Sequence, residues 1–90
     1  SQTTLALVDA LTQYAKALHT LISLQKRYIA SIGKLSPVEE DSIWQVIIGQ
    51  RVEVSDQLEE CKRFESNWMN AINICELSAE AAYNSGMLMN

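Results

Sequence analysis

The 90-residue chain has little of what catalytic and ligand-binding sites are usually made from: three glycines, one proline, two cysteines and one histidine. Neither G-x-x-x-x-G-K-[ST] nor G-x-G-x-x-G occurs, and three glycines leave no loop to cradle a phosphate. His19 is the whole imidazole supply. The only acid in its segment, Asp9, lies ten residues away, roughly 15 Å along a helix, so no metal site forms around it. Ser23, His19 and Asp9 can be written as a triad, but without geometry the match has no value. Cys61 and Cys75 stand 14 residues apart on one expected helix, about 21 Å, against the ~4.4–6.8 Å a disulfide needs. Both fall on an apolar stripe and are expected to be buried thiols; a bridge to a second copy across a symmetry axis stays open. No run of 18 apolar residues exists, so no membrane span is expected. No basic n-region followed by an apolar stretch opens the chain, so no secretory signal is expected either. No cofactor, metal or catalytic residue is assigned.

What is present is hydrophobic periodicity. Apolar residues make up 48% of the chain, ample for burial and too many for disorder. The first helix is expected over about residues 2–32. Its seam reads Leu7, Leu11, Tyr14, Leu18, Leu21, Gln25, Tyr28, Ile32, the alternating steps of four and three of a helix packed along its length. Val8, Ala15, Ile22 and Ile29 add a flanking row, so this helix is expected to touch more than one neighbour. Gly33 ends it, because a left-handed residue after a helix costs glycine least. Residues 33–36 form a short turn. Ser36 then caps, Pro37 suits the first helical position, and Glu39 completes an S-x-x-E capping box.

The second helix is expected over about residues 37–85, roughly 73 Å long. Its seam reads Trp44, Ile47, Arg51, Val54, Leu58, Cys61, Glu65, Trp68, Ile72, Cys75, Ala79, Ala82. Arg51 and Glu65 interrupt the seam, and their long stems can lie along apolar surface with the charge in water. Gly49 inside the helix costs about 1 kcal/mol relative to alanine, which points to close approach of a neighbouring helix. Asp56, Glu59 and Glu60 are spaced to pair with Lys62 and Arg63 on a solvated face. The fold class is therefore all-α: one domain, an antiparallel hairpin of two long helices in an elongated bundle.

The helices differ in length. An antiparallel first helix covers the second only from Pro37 to about Trp68, which leaves residues 69–85 beyond it. Exposing their apolar face forfeits about 1.5–3 kcal/mol for each large side chain. Self-association into a homodimer is the expected solution; the alternative is a bend near Asn67, Asn70 or Asn73 that folds the overhang back. Leu11, Tyr14, Leu18, Trp44, Ile47, Val54, Leu58, Trp68 and Ile72 are the candidate packing and dimer residues, and Ser36 with Glu39 the candidate cap.

Charge is uneven. Residues 1–34 hold four bases against one acid, net +3, and residues 35–90 hold three bases against ten acids, net −7. The imbalance favours packing the two helices side by side. The one basic cluster, Lys26, Arg27 and Lys34, is too small for a nucleic-acid face.

Particular residues carry a resemblance. Ser1-Gln2-Thr3-Thr4 with Ala6-Leu7 and Tyr14, then Glu39-Glu40-Asp41 and Trp44-Gln45-Val46-Ile47-Ile48-Gly49, then Trp68-Met69 and Ala79-Glu80-Ala81-Ala82-Tyr83, are similar to the Smac/DIABLO family. The likeness runs to Gly86, its specific part is Trp44–Gly49, and Met87–Asn90 fall outside it. It implies elongated helical homodimers of the mitochondrial intermembrane space, released to the cytosol in apoptosis. These antagonise inhibitor-of-apoptosis proteins (IAPs) without catalysis, through an N-terminal Ala-Val-Pro-Ile tetrapeptide that engages BIR domains. No residue here matches that tetrapeptide, nor the start of the family's first helix, nor its third helix. The expectation is a helical dimerisation scaffold. The alternative is a coiled-coil adaptor or membrane-associated scaffold of similar architecture only.

Overall fold

The computed structural model describes residues 1–86. Two α-helices, α1 (Gln2–Ser31) and α2 (Pro37–Asn84), form an antiparallel hairpin. The Cα trace spans 79 × 16 × 15 Å with a radius of gyration of 22.4 Å, where a compact chain of this length would have about 12 Å.

Local chemistry sets each boundary. The Ser1 Oγ accepts from the Thr4 N–H at 3.3 Å and caps α1. α1 stops where Gly33 takes φ +81°, a left-handed conformation that strains any residue with a Cβ. The Lys34 N–H then donates to the Ser31 carbonyl at 2.9 Å, and a Glu40 carboxylate oxygen accepts from the Gly33 N–H at 3.4 Å. α2 begins with a complete capping box: the Ser36 Oγ accepts from the Glu39 N–H at 3.3 Å, and the Glu39 carboxylate accepts from the Ser36 N–H at 3.2 Å. Glu39 and Glu40 lie in the first turn, where carboxylates favour the helix dipole. α2 runs unbroken to Asn84, through Asn67, Asn70 and Asn73. It does not fold back.

The line of contact between the helices differs from the expected seam. On α1, Leu7, Ala10, Tyr14, Ala17, Leu21, Leu24, Tyr28 and Ser31 are buried or half-buried. On α2 the row is Ile43, Ile47, Gln50, Val54, Gln57, Cys61, Phe64, Trp68 and Ala71. On α1 four of the eight expected positions are kept and four move one residue toward the N-terminus; on α2 Ile47, Val54, Cys61 and Trp68 are kept, five positions move by one, and Cys75, Ala79 and Ala82 lie beyond the contact. Ala10 and Ala17 are the reason on α1: small side chains let the backbones approach, and the larger Leu11 and Leu18 are turned to the flank. Arg51 and Glu65 are exposed and leave the contact line, while Gln25 stays half-buried beside it. Gln50 replaces Arg51, and its Nε2 donates to the Ala17 carbonyl of α1 at 3.0 Å.

Gly49 is a second difference. A Cβ built there meets nothing within 4 Å, so no neighbouring helix approaches it. The third concerns the thiols: Cys61 is buried between the helices, whereas Cys75 is exposed. The fourth is the extent of overlap. Thr3 and Thr4 of α1 line a cleft with Trp68, Ala71, Ile72 and Cys75 of α2, so cover reaches about a turn past Trp68. Beyond it Ile74, Leu77 and Tyr83 remain exposed.

Candidate interaction surface

Only Ala10, Ala17, Ile47 and Cys61 are buried among the described residues. The hairpin interior is thus a single thin layer, and most of the large apolar residues are on the outside.

Their placement is ordered. On α1, Val8, Leu11, Ile22 and Ile29 are exposed, with Leu18 half-buried among them and Ile32 exposed just after the helix. These positions repeat in steps of three, four and seven, and lie next to the contact row. On α2, Trp44, Ile48, Leu58 and Met69 are exposed beside the contact row, with Ile72 half-buried. Each flanking row is displaced about 100° from its contact row in the same sense along its own chain. In an antiparallel pair such rows meet on one side. The hairpin therefore has one apolar face along its length.

Of the candidate residues, Ile47 is fully buried and Tyr14, Leu18, Val54, Trp68 and Ile72 are half-buried. Leu11, Trp44 and Leu58 lie on the exposed face, at 50%, 37% and 37% exposure. The candidates thus divide between two surfaces: the contact between α1 and α2, and the open face beside it. The contact residues that periodicity missed are Ala10, Ala17, Leu24 and Ser31 on α1 and Ile43, Gln50, Gln57, Phe64 and Ala71 on α2. A search for paired small residues at spacing seven, Ala10 and Ala17, would have located the close approach.

Trp44 joins the two surfaces near the turn. Its ring centroid lies 5.5 Å from that of Tyr28 across the hairpin, tilted by 45°. The Arg51 guanidinium sits 5.3 Å from the same Trp44 ring, so its stem runs along apolar surface and its charge stays in water. Tyr28, Glu40, Asp41 and Trp44 border an open cleft of about 290 Å³. At the other end of α1, the cleft that includes Thr3 and Trp68 measures about 360 Å³. The polar side of α2 is sparsely tied: one ion pair is present among the described residues, Arg63 to Glu60 at 2.6 Å, beside a Gln57–Glu53 hydrogen bond. Among the described residues no group of three His, Cys, Asp or Glu side chains is placed to hold a metal ion, and no helix is long and apolar enough to cross a membrane.

Comparison with known proteins gives the lineage. The family model described as Second Mitochondria-derived Activator of Caspases matches residues 1–88. The chain belongs to the Smac/DIABLO family. It is 48% identical over 86 residues to the Diablo IAP-binding mitochondrial protein of Homo sapiens, covering 96% of this chain and 36% of that protein. It is 50% identical over 86 residues to the Diablo homolog, mitochondrial, of Xenopus laevis, covering 96% of this chain and 35% of that protein. The Smac/DIABLO-type hairpin described above thus spans about a third of the length of the curated relatives it matches.

Proposed function

We propose that this chain is the helical scaffold of a Smac/DIABLO-like pro-apoptotic regulator. It is one helical domain without catalytic activity, it associates with itself as a homodimer, and it belongs to a protein of the mitochondrial intermembrane space that reaches the cytosol during apoptosis. In that reading the whole protein antagonises inhibitor-of-apoptosis proteins and promotes caspase activation. The observation that carries it is the family match along residues 1–88 together with relatives named as IAP-binding and mitochondrial.

The division of labour follows from the residues. Ser1-Gln2-Thr3-Thr4 form the cap and first turn of α1. The scaffold role is supported by the helical hairpin with its open apolar face, since a layer with four buried residues is too thin to hold a small domain alone. The test is a calorimetric titration of this chain into an isolated BIR domain. Binding absent or weaker than about 1 μM is expected; submicromolar affinity would contradict the scaffold role.

A further inference from the structure

Beside the turn lies a cleft that the scaffold role does not use. Its geometry points to a binding site for the guanidinium of an arginine side chain carried by a partner protein, bordered by Tyr28, Glu40, Asp41 and Trp44. The site goes beyond the scaffold role and does not depend on it.

Capping chemistry accounts for the neighbouring acids and leaves Asp41 over. Glu39 closes the capping box, and Glu40 accepts from the Gly33 N–H. Both lie in the first turn of α2, where the helix dipole favours a carboxylate. Asp41 comes after that turn and is exposed. Among the described residues no basic side chain is paired with Asp41 or Glu40, although Arg27 and Lys34 flank the same turn. The cleft therefore has two carboxylates without a cation.

The aromatic pair supplies the other half of a cation site. The Tyr28 and Trp44 centroids are 5.5 Å apart with the rings tilted by 45°, so neither ring covers the other as a parallel stack would. A cation over such a ring is held by the quadrupole of the π system. Trp44 already takes a guanidinium in this way, since Arg51 lies 5.3 Å from its centroid. Arg51 does not border the cleft, which leaves the cleft to a second cation.

Chemistry and size select the occupant. A planar guanidinium stacks on an aromatic ring and forks to a carboxylate at once, whereas an ammonium is a strongly hydrated point charge. The cleft measures about 290 Å³ and is open. Sites that hold a free small molecule enclose most of its surface, and this one encloses the tip of one side chain. The rest of the contact must come from whatever carries that side chain. Residues 35–90, with net charge −7, attract a basic partner surface to this helix.

Trp44 at the turn and Trp68 at the far cleft are the two tryptophans of the chain, so their indole N–H resonances give site and control in one spectrum. The probe is N-acetyl-arginine methylamide, titrated into the wild-type chain. A saturable shift of the Trp44 resonance is expected, with a Kd on the order of 10 mM, as suits one exposed cation–π contact with a carboxylate beside it. The Trp68 resonance should stay in place. The blocked citrulline analogue, uncharged and of the same shape, should give no shift, and the blocked lysine should bind at least about threefold more weakly. Asp41→Asn should weaken the arginine probe at least about threefold, and Arg51→Gln should keep the response. The site is overturned by any of three results: no saturable shift, an equal response to citrulline, or a response lost with Arg51→Gln, which would mean that the probe only exchanges with Arg51 on the ring. Free arginine binding more than about tenfold tighter than the blocked form would assign the cleft to a small molecule and overturn the partner side chain. A chain found to be monomeric contradicts the scaffold role and leaves this site standing.

Discussion

At the scale of single residues, the structure separates side chains that hydrophobicity alone treats alike. Ile47 has no exposed surface and Val38 is 77% exposed, though both are branched aliphatic residues on α2. Ile47→Ala is expected to lower unfolding stability by about 2–5 kcal/mol. Val38→Ala should stay within ~0.5 kcal/mol. Urea denaturation at one fixed protein concentration measures both, and the concentration must be held because self-association adds to apparent stability. Gly49 gives a test whose sign carries the information. With open space where its Cβ would go, Gly49→Ala should stabilise the chain by up to about 1 kcal/mol through helix propensity. Thermal unfolding of this variant would show a loss of stability if a helix packed closely there.

At the scale of elements, the turn is built from few residues and each can be tested. Ser36→Ala removes the acceptor for the Glu39 N–H and should cost about 1 kcal/mol. Gly33→Ala forces a Cβ onto a φ of +81° and should cost about 1–2 kcal/mol. Chemical denaturation of the two single variants and the double variant checks this. The two sites flank one turn, so their losses need not add.

The same scale shows how much was legible in the sequence. The helix boundaries, the turn and the capping box follow from Gly33, Ser36, Pro37 and Glu39, because capping is local chemistry written in adjacent residues. The contact line does not follow in the same way. When an apolar face is wider than one seam, period alone finds the face and leaves the line within it undecided. Leu11 and Leu18 have the larger hydrophobic surface, yet Ala10 and Ala17 take the contact because small residues bring the backbones together. On α2, Gln50 and Gln57 enter the layer where apolar residues were looked for. Gln50 can do so because it finds a partner in the Ala17 carbonyl, which removes the cost of a buried unpaired amide. Pairings of this kind depend on the facing helix and cannot be read from one helix at a time. Cys75 is a different case: it continues the contact row of α2 and is exposed at the cleft it shares with Thr3 and Thr4.

At the scale of the whole molecule, one relation governs the rest. A rod 79 Å long and 16 Å wide has too much surface for its mass to hide its apolar residues by itself. The rows of Val8, Leu11, Ile22 and Ile29 on α1 and of Trp44, Ile48 and Leu58 on α2 fall on one side, whereas Leu5, Val38, Val46 and Val52 are exposed elsewhere on the rod. The thin interior and the exposed apolar rows support the proposed scaffold role. Truncating α2 after Ile72 should leave the contact layer with α1 intact, and circular dichroism should still report a helical hairpin. Loss of helix well beyond the removed turns would show that the overhang supports the hairpin itself.

The most direct test of the scaffold account is sedimentation equilibrium of the 90-residue chain over a range of micromolar concentrations. A particle of twice the 10.1 kDa chain mass, dissociating on dilution, is the predicted result. A stable, cooperatively folded monomer of 10.1 kDa across the whole range would contradict the account.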